Sequence, residues 1–147
     1  LTLAVTDGMV VGVGAERYVA PLDCIVESGQ PAPGQVRAVR GGRALAYELR
    51  GDYLPLIEVG RLLGLPGCDT PFERGIVVAV DAGGTRQALF VDRLLGQQQF
   101  VVKSLEPNLR KPPAFAGATL LGDGCVAMIL DVEALPALAG ERLALAA

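Results

Sequence analysis

The chain has 147 residues, 51% hydrophobic and 20% charged, which excludes a disordered tail and suits one ordinary folded domain. Its net charge is −3, its only lysines are Lys103 and Lys111, and no basic stripe occurs, so nucleic acid is not an expected partner. With no histidine, and with Cys24, Cys68 and Cys125 far apart, no metal site is expected; the cysteines read as reduced, buried thiols of a cytosolic protein.

In chain order, the short apolar runs read as strands. Met9–Val13, a turn at Gly14–Glu16, and Tyr18–Val26 form a first hairpin. Pro31–Gly34 is a loop. Val36–Val39 and Leu45–Leu49, joined through Gly41-Gly42, form a second hairpin, and Gly51-Asp52 turns into a strand from Tyr53 to Ile57. Glu58–Leu63 reads as a short helix stopped by Gly64, with Pro66 beyond it. Leu65–Arg74 is a linker. Gly75–Val80, a turn at Asp81–Gly84, and Gln87–Leu94 form the next hairpin, followed by a strand at Phe100–Lys103. Pro112-Pro113 makes Asn108–Phe115 a loop. Ala118–Leu121, the turn Gly122–Gly124, and Val126–Val132 close the series. Glu133–Leu138 is expected to add a helical turn before a helix-prone tail. No apolar run approaches the ~20 residues of a membrane span, so no membrane insertion is expected, and no secretory leader is seen. Leu1 is not a methionine and opens directly in an alternating segment, which reads as a piece of a longer polypeptide.

The second half echoes the first. Gly14–Asp23 is answered by Gly84–Asp92, and Gly51–Val59 by Gly122–Val132, at nearly one offset. Self-similarity of this kind points to two copies of one β unit. Five or so short strands per copy, joined by tight turns, suggest two small barrels like SH3 folds, stacked or intertwined. Their expected lobes are 9–66 and 72–138, with 1–8 a leading segment.

Neither copy carries a catalytic apparatus. The commonest general base is missing, Ser28 and Ser104 lack a base partner, and the carboxylates stand singly. Gly12-Val13-Gly14 fails as a dinucleotide motif because Arg17 replaces the third glycine and no helix follows. Pro55 says more. A proline cannot donate to a ladder, so its strand should lie at an edge or a bulge. Alternation puts Tyr53 and Ile57 on one face and Leu54 and Leu56 on the other. A strand apolar on both faces is either covered by the other lobe or open to a partner.

Several segments carry a family resemblance: Tyr18–Leu22 with Val26–Ser28, Leu49–Leu56, and Val101–Glu106 through Gly117–Gly124 to Ile129–Val132. These resemble the CheW-like domains of bacterial chemotaxis proteins, across essentially the whole chain. Leu1–Met9 is similar to the segment that follows the ATP-binding domain of the chemotaxis histidine kinase. Together with Lys103-Ser104-Leu105 and Gly117–Gly124, it favours that kinase's regulatory domain over a stand-alone coupling protein. The resemblance implies a cytoplasmic, non-catalytic domain at receptor arrays, without cofactor. It implies docking to a CheW-type coupling protein, to the chemoreceptor tip, and to the kinase's own catalytic and dimerisation domains. From the pattern alone, Tyr53 with Arg50, Leu54 and Leu94 forms the first candidate surface, and Val26 belongs to a second.

Overall fold

A computed structural model describes residues 4–39, 44–65, 71–102, 115–121, 124–132 and 134–135. The order is β1 (Ala4–Val13), β2 (Glu16–Pro21), a 3-10 turn (Leu22–Cys24), β3 (Ile25–Gly29), β4 (Val36–Val39), β5 (Ala44–Leu49) and β6 (Asp52–Glu58). Then come α1 (Val59–Leu62), β7 (Ile76–Ala82), β8 (Thr85–Val91), β9 (Arg93–Val102), β10 (Phe115–Leu120) and β11 (Val126–Leu130). The strands lie in two sheets, β10-β11-β2-β1-β9 and β3-β7-β8-β6-β5-β4. In the first, the end strands β9 and β10 approach each other, so the sheet curls towards closure.

The two copies are intertwined. Each sheet has a hairpin of one copy at its centre and three strands of the other copy around it. Hairpin β1–β2 is flanked by β9 and by β11-β10, and hairpin β7–β8 by β3 and by β6-β5, with β4 as an extra edge strand. The joints between copies are parallel pairings of β11 on β2 and of β6 on β8. The segments 9–66 and 72–138 therefore delimit sequence copies, while each sheet draws strands from both.

Register also corrects the alignment of the copies. Both hairpins turn on a glycine in the left-handed region, Gly14 at φ 60° and Gly83 at φ 61°. Gly14 thus answers Gly83 and not Gly84. The slip decides which way every side chain faces, because strand side chains alternate with a period of two. In the corrected register Val10 and Val19 of the first sheet match Ala79 and Ala88 of the second, and both pairs lie cross-strand inside their own core. Tyr18 matches Gln87. Tyr18 stacks on Phe115, with ring centroids 5.6 Å apart. Gln87, buried, donates from Nε2 to the Val132 carbonyl at 2.6 Å and so ties the second sheet to the segment after β11.

Three apolar clusters follow. Val10, Val19, Phe100, Leu121, Ala127 and Ile129 fill the first barrel. The second holds Tyr47, Leu49, Leu54, Leu56, Val77, Ala79, Ala88 and Phe90. Between the sheets lies the largest cluster, which takes Val11, Tyr18, Ile57, Val59, Val80, Leu89, Leu130 and Leu135 among others. Burial of this kind supplies most of the driving force, at about 25 cal/mol per Å² of apolar surface.

Several local expectations need correction. The run expected as one strand over Tyr18–Val26 is broken by the 3-10 turn at Leu22–Cys24, and Gln87–Leu94 is broken by a bend at Asp92. At that bend Asp92 accepts from the Gly14 amide at 2.5 Å, so the corner of one copy caps the hairpin turn of the other. Residues Gly96–Gln99, expected after a strand end, lie inside β9. The glycine stop of α1 is present: Leu65 N–H bonds the Gly60 carbonyl at 2.9 Å and Gly64 N–H bonds Arg61 at 3.1 Å, with Gly64 at φ 71°. The Pro112-Pro113 loop, the Gly41-Gly42 turn and the tail lie outside the described residues.

Candidate docking surface

β6 does not lie at the edge of its sheet, contrary to the expectation from Pro55; it sits between β8 and β5. Only Leu56–Glu58 pair with β8, however, so among the described residues the half that holds Tyr53 and Pro55 has ladder partners on β5 alone. The missing proline donor is tolerated in that one-sided stretch. The strand's apolar faces divide accordingly. Leu54 and Leu56 turn into the barrel core, Ile57 turns into the cluster between the sheets, and Tyr53 remains 57% exposed. The strand is thus covered at Leu54, Leu56 and Ile57 and open at Tyr53.

The five residues singled out from sequence separate on this basis. Tyr53 and Arg50 stand on the tip formed by β5, β6 and their turn, and both are exposed. Leu54 is 6% exposed, with its side chain in the core beneath Tyr53, so it supports the tip and does not line it. Leu94 is partly buried against the cluster between the sheets and belongs to β9 of the other sheet, so the structure does not place it on the β5–β6 tip. Val26 is open and lies near the Arg50 turn, because Arg50 Nη2 stands 2.8 Å from Oε2 of Glu27, the next residue of β3. The contact is an ion pair rather than an aligned hydrogen bond. Through Glu27, the strand that holds Val26 thus adjoins the turn that carries Arg50.

Three more exposed apolar residues join the comparison: Leu95, weighed from sequence with Leu94 but not chosen, and Leu120 and Val126, which sequence reasoning did not single out. On β3 the ladder skips Val26, and on β9 it skips Leu95, at matching places in the two copies. These are β-bulges, which re-aim a side chain. Both swing an apolar residue outward, Val26 to 44% exposure and Leu95 to 46%. Leu94 is then the counterpart of Ile25, and both pack on the cluster between the sheets. A bulge leaves no mark in a Leu-Leu pair, so alternation alone does not say which leucine is the exposed one. At the tip of the first barrel, Val126 occupies the place of Tyr53 and its cross-strand partner Leu120 the place of Glu48. Aligning β6 with β11 by their parallel pairings, which put Leu56 in the place of Ile129, finds them.

The tip is held from below. Gln35 Nε2 donates to the Glu48 carbonyl at 2.9 Å, and Glu48 N–H donates to the Gln35 carbonyl at 2.8 Å, which fixes β5 against the loop before β4. Burial raises the Tyr47 phenol above its ordinary range; Gln35 partly offsets this and the Glu27 charge adds to it. Nothing in this arrangement resembles reaction chemistry. A shallow depression of about 220 Å³, lined by Val10, Arg17, Leu95, Gln97 and Leu121 among others, contains no carboxylate. Among the described residues no three His, Cys, Asp or Glu side chains gather into a metal site.

Residues 7–139 match the family model of the CheW-like domain. The chain is 47% identical, over its whole length, to the chemotaxis protein CheA of Klebsiella aerogenes, of which it covers 22%. It is 47% identical over 142 residues to CheA of Salmonella typhimurium, and 31% identical over 135 residues to the sensor histidine kinase CheAY of Helicobacter pylori, covering 21% and 17% of them. The chain therefore spans about a fifth of the length of these relatives. Among solved structures it is similar in fold to the scaffolding protein TtCheW of Thermoanaerobacter tengcongensis, with TM-score 0.65, 17% identity, and 88% and 90% of the two chains covered.

Proposed function

The chain belongs to the CheW-like domain family, a non-catalytic scaffold fold, and from that premise we propose that it is the regulatory domain of a CheA-type chemotaxis histidine kinase. The observation that carries this reading is the 47% identity to CheA, extending from end to end of the chain. The domain docks a CheW-type coupling protein and the cytoplasmic tip of a chemoreceptor, and so sets the activity of kinase domains elsewhere in a longer polypeptide. It works in the cytoplasm at receptor arrays; no helix among the described residues is long and apolar enough to cross a membrane. The mechanism is positional. Docking fixes the domain relative to the catalytic part, and a change in the receptor biases that arrangement.

Tyr53 is the aromatic anchor of the coupling contact, with Val26 and Arg50 beside it. Tyr53→Asp is expected to weaken capture of the coupling protein about thirtyfold, the loss expected for an aromatic hot spot, without changing the thermal midpoint. Unchanged affinity would remove the tip from the docking surface. A second reading, a stand-alone coupling protein, draws on the fold match that covers 90% of TtCheW. Kinase activity that responds to this domain only when it is covalently joined to the catalytic domains separates the first reading from the second.

A further inference from the structure

The tips of the two barrels are built alike and coloured differently. In the second barrel, Glu48 faces Tyr53 across the β5–β6 ladder and Asp52 precedes it. Arg50, the only cation of that turn, has its guanidinium 2.8 Å from Glu27, so those two charges cancel locally. Neither Glu48 nor Asp52 has an ion pair among the described residues. Two carboxylates without an ion pair among the described residues therefore flank one exposed aromatic ring, with Arg37 one strand further on, opposite Ala46. In the first barrel the matching positions hold Leu120, 68% exposed, in place of Glu48, and Val126, 66% exposed, in place of Tyr53. Two tips of one framework, one acidic and aromatic and one aliphatic, cannot serve the same partner surface equally.

We propose that the Tyr53 tip recognises a protein face on which lysine or arginine side chains surround an apolar socket, with Glu48 and Asp52 supplying the complementary rim and Glu27 neutralising the charge of Arg50 beside them. The inference rests on the docking reading above and names the chemistry of its partner. An anchor ring enters the socket and loses its water, while rim carboxylates stay wet and act mainly on encounter and orientation. Cations at the socket mouth also sit well against the face of a phenol ring. Glu27 has a definite part here. Without it, Arg50 would place an unmatched positive charge beside Tyr53 and repel such a partner.

The test measures association of the domain with the coupling protein CheW of the same organism, using three variants: Glu48→Lys with Asp52→Lys, Glu27→Gln, and Tyr53→Ala. Circular dichroism and the thermal midpoint confirm that each is folded. The double lysine variant is expected to bind about tenfold more slowly at low salt, and Glu27→Gln a few-fold more slowly. Wild-type association should slow as salt rises, because rim charges are screened over roughly 10 Å at 0.1 M, while the double variant should not slow. Equal or faster association of the double variant, with Tyr53→Ala still weak, would overturn the acidic-rim inference and leave the docking reading intact. Full binding by Tyr53→Ala would overturn the docking reading itself.

Discussion

Arg50 is the only non-glycine among the described residues with a positive φ, +51°, and Gly51 follows at φ +87°. This is the geometry of a two-residue hairpin turn in which asparagine followed by glycine is the favoured pair. A side chain in the left-handed region costs about 1–2 kcal/mol. The compensating ion pair joins an exposed Arg50 guanidinium to a Glu27 oxygen that is itself buried, and pairs with one partner open to solvent contribute about 0–1 kcal/mol. The strain wins on these magnitudes. Arg50→Asn should therefore leave the thermal midpoint unchanged or raise it, and a drop worth more than about 1 kcal/mol would show the bridge to be stronger than its exposure implies. A residue kept in a conformation it disfavours is a candidate for function rather than stability. Tyr47 makes a second prediction. Its folded-state pKa lies above the ordinary 10.0 because burial favours the neutral phenol. An acid with a raised folded pKa contributes fully below its unfolded pKa and loses that contribution as pH rises from there through the folded value. Stability to urea should fall between pH 9 and pH 11, and Tyr47→Phe should flatten that fall; an equal decline in both proteins would contradict the burial of the phenol.

At the scale of elements, alternation and turn residues made most strands legible, because a strand with one buried face announces its period. Gly64 marked the end of α1 for an equally local reason. The β1–β2 and β7–β8 echo was also visible, but its register was not. Gly14 can be aligned with Gly84 or Gly83, and only the backbone sign at the turn and the cross-strand partners decide between them. The inward turn of Leu54 was hidden for a related reason: with apolar residues on both faces of β6, period two gives two sets and does not say which is inside. Packing between elements adds one asymmetry that can be tested. Gly8 takes the place that Val77 fills in the other sheet, and a methyl group there would overlap the Phe100 ring and Val19. Gly8→Ala should cost about 1–3 kcal/mol by overpacking. Adding Phe100→Leu should recover part of that loss, since the two sites share one space. Additive losses in urea denaturation would contradict the contact.

For the whole molecule, the decisive property is that each barrel borrows strands from both halves of the chain. Nothing local records this. The hairpins, bulges and turns of each copy are the same whether the copy closes on itself or on its twin, so sequence left stacked and intertwined arrangements equally open. Long-range pairing chose between them, through β11 on β2 and β6 on β8, and the cluster between the sheets is shared as a consequence. The expected docking residues fell on one barrel or in the core for the same reason: lobes assigned from contiguous sequence put Tyr53 and Leu94 at matching strand ends, whereas the sheets place them apart. The most direct test divides the chain between residues 67 and 68 and follows the two fragments, separately and mixed, by circular dichroism and thermal melting. Intertwined barrels predict that neither fragment melts cooperatively alone, because a lone hairpin or three-strand remnant lacks the partner that buries its apolar face. They also predict that an equimolar mixture regains a single cooperative transition. Two fragments that each fold and melt cooperatively by themselves would contradict the shared architecture on which the docking surfaces depend.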